Sequence, residues 1–446
     1  MSIVPSGTPT SSLERDARRV NDAPAGEVKP GDIAIGVIIG RTSESFDFLV
    51  YAIASVIVFP KLLFPHADAV TGTLYSFAIF SLAFLARPLG TVLFTAIDRT
   101  YGRGMKLTLA LFLLGTSTVA IGFLPGYEKI GMASVYLLAL LRVGQGLALG
   151  GSWDGLASLL AVNAPPRRRG FYAMIPQLGA PFGVIVASAL FAYIIASLSA
   201  ADFIQWGWRY PFFVAFAINV VALFARLRIV VTPEYTKLFA TQELQPSPIR
   251  ETVRASGRTI LIGAFVPLAS FALFHIVTVF PLSWVFLFTP EKAARFLALQ
   301  AVGSMLGVAA SIASGWMADR VGRRALLAST AAAIAGFAGL APQLLNAGAA
   351  GALIFMFSGF VLLGLAFGQA SGAVAANFPM KHRYTGSALT SDFAWLLGAG
   401  FAPWVALLLA SRFGLTFAGA YLLSGAIGTL LALLINRQIA RDREAH

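Results

Sequence analysis

The sequence predicts an all-α integral membrane protein of twelve transmembrane helices in two pseudo-symmetric six-helix halves. Three observations predict it. Of the 446 residues, 57% are hydrophobic and only 12% charged, against roughly 25% charged in an average soluble domain. About twelve apolar stretches are long enough to cross a hydrocarbon core of roughly 30 Å. An Asp-Arg loop recurs at Asp98 and Asp319, 319 − 98 = 221 residues apart, about half the chain, as duplicated halves require.

The chain opens with a polar, mixed-charge tail over 1–32 that does not resemble a cleaved signal peptide. Apolar stretches follow near 33–60, 70–96, 106–124, 133–162, 170–198 and 207–230, which form the first half. The polar interval 231–258 reads as a cytosolic linker. The second half holds stretches near 259–288, 294–318, 325–345, 350–376, 384–410 and 414–436, and a short tail closes the chain over 437–446. Mean hydropathy is +0.77, and the 43 glycines suit helices that pack closely in lipid.

Charge sets the orientation. With a cytosolic N-terminus, 24 Lys and Arg fall in inside segments and 6 outside, while Arg41, Arg87 and Arg142 complete the 33 from within helices; both termini are expected inside. The net charge of +13 therefore reflects basic cytoplasmic loops, and the Arg167-Arg168-Arg169 run is read as topology and lipid headgroup contact, not a nucleic-acid patch. With no cysteine, thiolate chemistry, disulfides and iron–sulfur sites are excluded. The four histidines are dispersed, so no metal site and no cofactor is expected.

Between the second and third helices of each half stand Asp98-Arg99-Thr100-Tyr101-Gly102-Arg103 and Gly315-Trp316-Met317-Ala318-Asp319-Arg320-Val321-Gly322-Arg323-Arg324. This pattern resembles the signature loop of the major facilitator superfamily. The second copy matches fully; the first has Thr95 in place of glycine and its acidic position shifted by one. Further stretches resemble the metabolite:proton symporters, the group of oxoglutarate, shikimate, citrate and proline/betaine permeases: Gly40 to Phe48 in helix one, Arg87-Pro88-Leu89-Gly90 in helix two, Leu141 to Gly155 in helix four, Pro176 to Pro181, Trp206 to Pro211, and Arg383 to Gly386. Against that group's pattern, Arg41 replaces an asparagine, Ser45 a tryptophan, Ser152 a glutamate, Asp154 a glycine and Ser391-Asp392 a Tyr-Gln pair. The resemblance implies the major facilitator fold, transport by alternating access and cytoplasmic gates at Asp98, Arg99 and Arg103 and at Asp319, Arg320, Arg323 and Arg324. The intact second loop is expected to hold its gate more tightly.

A charge at the centre of a membrane helix costs about 2.5–3.5 kcal/mol, so such residues face a cavity or a partner. They are Arg41, Glu44, Asp47, Arg87, Arg142, Asp154, His275 and Asp392. Arg41, Glu44 and Asp47 follow one another at i, i+3 spacing, so Glu44 is expected to pair with Arg41. Asp47 is assigned the coupled proton with Arg142 as its switching partner; the competing reading makes that pair permanent. Arg142, followed at helical spacing by Gln145, offers a fork suited to a carboxylate. Arg87 reads either as a substrate or counter-ion contact, which is favoured, or as a tie between helices two and eleven. His275 reads as a substrate or proton ligand or, slightly favoured, as hydrogen-bonded structure. Asp392 is placed on the cavity wall to meet Arg41 or a cationic substrate group, and Asp154 in helix packing. Gly144-x-Gly146 and Gly150-Gly151 lack the Lys-Ser/Thr of a phosphate loop and are read as packing glycines.

The leading functional expectation is proton-coupled symport of a small organic acid, a carboxylate, across the bacterial cytoplasmic membrane by a protein that works as a monomer. Its partners are substrate, protons and lipid. The alternatives are symport of a zwitterion such as betaine or proline, and uncoupled facilitation; a membrane sensor is more distant, and an enzyme is not expected because no nucleophile–base pair stands out.

Overall fold

The computed structural model describes residues 30–153, 160, 164–230, 245–370, 372 and 378–444. Most of the N-terminal tail, linker residues 231–244 and Asp154 lie outside them. The described residues are helical and include eleven spans long and apolar enough to cross a membrane. A twelfth, α1 (Pro30–Ile57), is as long as the rest but carries Arg41, Glu44 and Asp47 in its middle. The others are α2 (Ala69–Tyr101), α3 (Arg103–Gly122), α4 (Ala133–Gly151), α5 (Arg169–Ser197) and α6 (Gly207–Leu227) in the first half. The second half holds α7 (Leu268–Phe288), α8 (Ala293–Val321), α9 (Arg323–Asn346), α10 (Gly348–Phe367), α11 (Lys381–Phe413) and α12 (Leu415–Asn436). A further helix, Ile249–Phe265, starts within the stretch read as linker and runs up to α7.

The turns between α2 and α3 and between α8 and α9 are built alike. Gly102 and Gly322 both take φ of 86°, a left-handed value that a side chain would oppose, and each N–H closes the preceding helix on residue 98 or 318. These turns mark one end of the bundle, the signature-loop face.

Within the first half, α2 and α4 lie in backbone contact because glycine faces the opposite chain. A methyl group at Gly90 would strike the Leu147 carbonyl, one at Gly146 the Ala83 backbone, and one at Gly150 the Arg87 carbonyl. The glycine run of α4 is thus a packing seam, as its sequence predicts.

Two helices are interrupted where proline withholds a donor. In α7 the break lies between Thr278 and Phe280, because Pro281 cannot donate to the Val277 carbonyl. In α11, Leu396–Gly400 widens into a π turn before Pro403. Pro403 leaves the Ala399 carbonyl without its usual donor, and His275 Nδ1 of α7 fills that place at 2.7 Å. Ser81 Oγ of α2 donates to the next carbonyl, Gly400, at 2.7 Å, and Tyr421 of α12 to Leu397 at 2.8 Å. Helix α2 absorbs Pro88 without a break.

The packing seam yields a paired expectation. Gly146→Leu should lower unfolding stability in detergent by about 1–3 kcal/mol or more, the range for overpacking a closed contact. Gly336→Ala, on an exposed face of α9 with open space around it, should raise it by up to about 1 kcal/mol. Thermal unfolding of the two variants checks both signs.

Candidate functional site: a cavity between the halves

A cavity of about 120 Å³ opens between the two halves. Helices α1, α2, α4 and α5 supply Arg41, Glu44, Phe48, Phe84, Arg87, Trp153 and Gln177; α7, α10 and α11 supply Phe271, Phe274, Phe367, Ser391 and Trp395.

Two guanidinium groups reach this cavity, each backed by a carboxylate and a tryptophan. Arg41 Nη1 donates to Glu44 Oε2 at 2.9 Å and stands 5.5 Å from the Trp153 ring. Glu44 is shared, because Arg226 of α6, fully buried, approaches its other oxygen at 2.7 Å. The expected pair with Arg41 is present, and Arg226 is a second partner that the sequence reading did not assign. Arg226 was counted among the basic residues of an inside loop, whereas α6 continues far enough to carry it inward beneath α1, where Gly40 leaves room for it.

Arg87 Nε donates to Asp392 Oδ1 at 2.7 Å, and the Thr91 hydroxyl donates to the other oxygen. Asp392, expected on the cavity wall to meet Arg41 or a cationic substrate group, is engaged by α2 instead and does not line the cavity. Arg87 combines both readings: it ties α2 to α11, lines the cavity and lies 5.8 Å from the Trp395 ring.

Asp47 sits one turn further along α1 in a buried polar cluster. Its Oδ2 accepts from Thr118 Oγ1 of α3 and Asn219 Nδ2 of α6, both at 2.6 Å. Its Oδ1 accepts from Gln145 Nε2 of α4 at 3.1 Å. Arg142 does not form an ion pair with Asp47: its Nη1 donates to Gln145 Oε1 at 3.0 Å, so the Gln145 amide stands between them. The reason is packing, since the Arg142 guanidinium is held 4.0 Å from the Tyr51 ring and 4.8–4.9 Å from those of Phe48 and Phe80. Gln145, expected at the substrate, is a buried bridge instead. Thr118 and Asn219 were missed; the signal was a lone Asn in the apolar α6 and a Thr-Ser-Thr run in α3.

His275 is fully buried. It stacks on Phe48 at 5.5 Å and meets Phe80 and Phe84 edge-on. Its Nδ1–H is committed to Ala399, and it does not line the cavity, so the geometry favours hydrogen-bonded structure over a ligand.

On the signature-loop face each loop grips the opposite half. Asp319 accepts from the Gly170 and Phe171 N–H groups at the start of α5, at 2.6 and 3.1 Å, where the helix dipole favours an anion. Arg323 donates to the Gly372 carbonyl at 2.6 Å, Arg324 to that of Leu433, and Arg320 lies over its own helix's Trp316. The altered loop is not weaker in contacts. Asp98 Oδ2 lies 3.3 Å from Lys106, 3.7 Å from Arg103 and 3.2 Å from the hydroxyl of Tyr384, the last on α11. Lys106 also donates to the Tyr384 hydroxyl and the Trp153 carbonyl, at 2.7 and 2.6 Å. Asp98 stands four residues before its positive-φ glycine and Asp319 three, so the two acids point about 100° apart. One therefore caps a helix and the other joins a side-chain cluster. Arg99 is exposed. Beside the cluster Lys381 binds Glu251 at 2.5 Å, a hydrogen bond that holds the Glu251 carboxyl below its usual range.

Two expectations follow from this geometry. Arg226→Gln should cost about 3–5 kcal/mol of unfolding stability, as breaking a buried pair does; Arg41→Gln should cost less, because Glu44 keeps Arg226. Since the chain has no cysteine, Ser387→Cys provides a single label on the cavity wall. Adding either Asp98→Asn or Asp319→Asn should speed its reaction with a bulky maleimide from the signature-loop face; unchanged rates in both would refute the latch role.

The Major Facilitator Superfamily family model matches residues 45–403. The chain is 37% identical to the inner membrane metabolite transport protein YhjE of Escherichia coli, over 91% of this chain and 94% of that one. It is 29% identical to the shikimate transporter of the same organism, over 92% and 94%. Among solved structures it is similar to the proton:xylose symporter XylE bound to 6-bromo-6-deoxy-D-glucose, with a TM-score of 0.69, 17% identity and coverage of 92% and 95%. At that identity the likeness concerns the fold.

Proposed function

The chain belongs to the Major Facilitator Superfamily, whose members are membrane transporters and not enzymes, and from that premise we propose that it carries a small organic acid in symport with protons. The halves rock about the central cavity, presenting it to each side of a bacterial cytoplasmic membrane in turn. The basic-residue asymmetry supports a cytosolic position for both termini and the signature-loop face. The observation that carries the reading is the pair of guanidinium groups, Arg41 and Arg87, on the cavity wall. Planar forks that retain donors beyond those given to Glu44 and Asp392 suit a carboxylate. A zwitterion is less well served, because Asp392 already accepts from Arg87 and Thr91.

Asp47 is the proposed proton site. Three neutral donors, Thr118, Asn219 and Gln145, satisfy its oxygens, and Gln145 joins it to the Arg142 charge. A shift of α4 that withdraws Gln145 removes this support for the carboxylate, and proton uptake then neutralises it. The switch accordingly works through an amide bridge. Asp47→Asn should preserve counterflow of substrate in proteoliposomes and abolish accumulation driven by a pH gradient. Radiolabelled uptake of a panel of carboxylates and betaines, with and without the gradient, tests the whole reading; an Asp47→Asn protein that still concentrates substrate would overturn the proton assignment.

A further inference from the structure

The two ends of the cavity differ in chemistry, and chain direction orients the difference. Starting from the signature-loop face, its lining residues run Arg41, Glu44, Phe48 on α1; Arg87, Phe84 on α2; and Ser387, Ser391, Trp395 on α11. In each of these three helices polar groups come first and a ring last; Trp153, at the end of α4, adds one ring beside Arg41 at the polar end. The rings form one continuous wall: Phe48 lies 5.2 Å from Phe84, Phe84 6.3 Å from Trp395, and Trp395 4.5, 5.7 and 6.0 Å from Phe271, Phe274 and Phe367. A small space with guanidinium groups at one end and aromatic surface at the other selects for a ligand of the same asymmetry.

We infer that the substrate is a monocarboxylate bearing a single apolar ring, its carboxylate between Arg41 and Arg87 and its ring against the wall of Phe84, Phe271, Phe274, Phe367 and Trp395. This rests on the organic-acid reading above and narrows it. Size agrees, since a cavity of about 120 Å³ is on the scale of the roughly 150 Å³ apolar cavity that accepts benzene. A second carboxylate would meet either Glu44 or the negative faces of the rings. Several hydroxyl groups would lose their hydrogen bonds against the same faces. A quaternary ammonium is drawn to aromatic faces in general, but here Arg87 already places a cation near Trp395, and a second would be repelled.

Calorimetric titration of the full chain in nanodiscs at neutral pH tests this with benzoate, acetate, succinate, shikimate and glycine betaine as probes. Binding is the readout because benzoic acid crosses bilayers unaided. Benzoate should bind at least tenfold more tightly than acetate, succinate or shikimate. Phe84→Leu and Phe274→Leu, which keep the wall apolar, should each weaken benzoate by roughly three- to tenfold and leave acetate unchanged. If succinate or shikimate binds as well as benzoate, or both leucine variants bind benzoate normally, the ring inference is overturned and organic-acid transport stands. If only glycine betaine binds, or no carboxylate does, both fall.

Discussion

A charged group surrounded by hydrocarbon is tolerated only with a partner, and the helix arrangement around the cavity follows from supplying one for each. Glu44 draws Arg41 along α1 and Arg226 inward on α6. Asp392 draws Arg87 and so ties α2 to α11 across the boundary between halves. Asp47 collects donors from α3, α4 and α6. In the proposed transport cycle, the same pairs that make the charges tolerable are the ones that substrate, proton or helix movement rearranges. Stability and transport therefore draw on one set of contacts.

The backbone imposes the second constraint, since no carbonyl inside a membrane can turn to bulk water. Around Pro403 and the π turn, carbonyls of α11 accept side-chain donors from other helices. Ser81, His275 and Tyr421 answer them from α2, α7 and α12. An irregular turn held at three points by other helices is a place where α11 is positioned from outside itself, one turn beyond Trp395 on the cavity wall.

What was legible in the sequence is what depends on composition and period. The number of spans, the two six-helix halves and the packing role of the α4 glycines all follow from residue type and spacing. Pairing across helices was not legible, because spacing constrains neighbours on one helix and says nothing of which faces meet. Glu44 with Arg41 was within reach and Glu44 with Arg226 was not. Asp47 and Arg142 were brought to the same region correctly, but the aromatic box that holds Arg142, and hence the intervening Gln145, depends on rings from α1 and α2. The role of His275 did leave a trace: a proline at 403 implies an unserved carbonyl at 399, which a buried donor must reach.

The two signature-loop clusters differ in kind, and one of them is joined to the cavity. Asp319 binds the backbone N–H groups of residues 170 and 171, and needs glycine at 170 for the close approach of α8, but it relies on no partner side chain. Asp98 works through Lys106 and Tyr384, and both of these side chains also meet the Trp153 carbonyl. Trp153 in turn lines the cavity with its ring beside Arg41. Movement of α11 that carries Tyr384 away removes one partner from that carbonyl, and movement of α4 that follows a ligand at Arg41 displaces the carbonyl from both. The route from the cavity to the signature-loop face is then a contiguous set of contacts through one residue at the end of α4. The shift of one position in the first signature loop, which turns Asp98 away from a backbone cap and toward Tyr384, is what creates it.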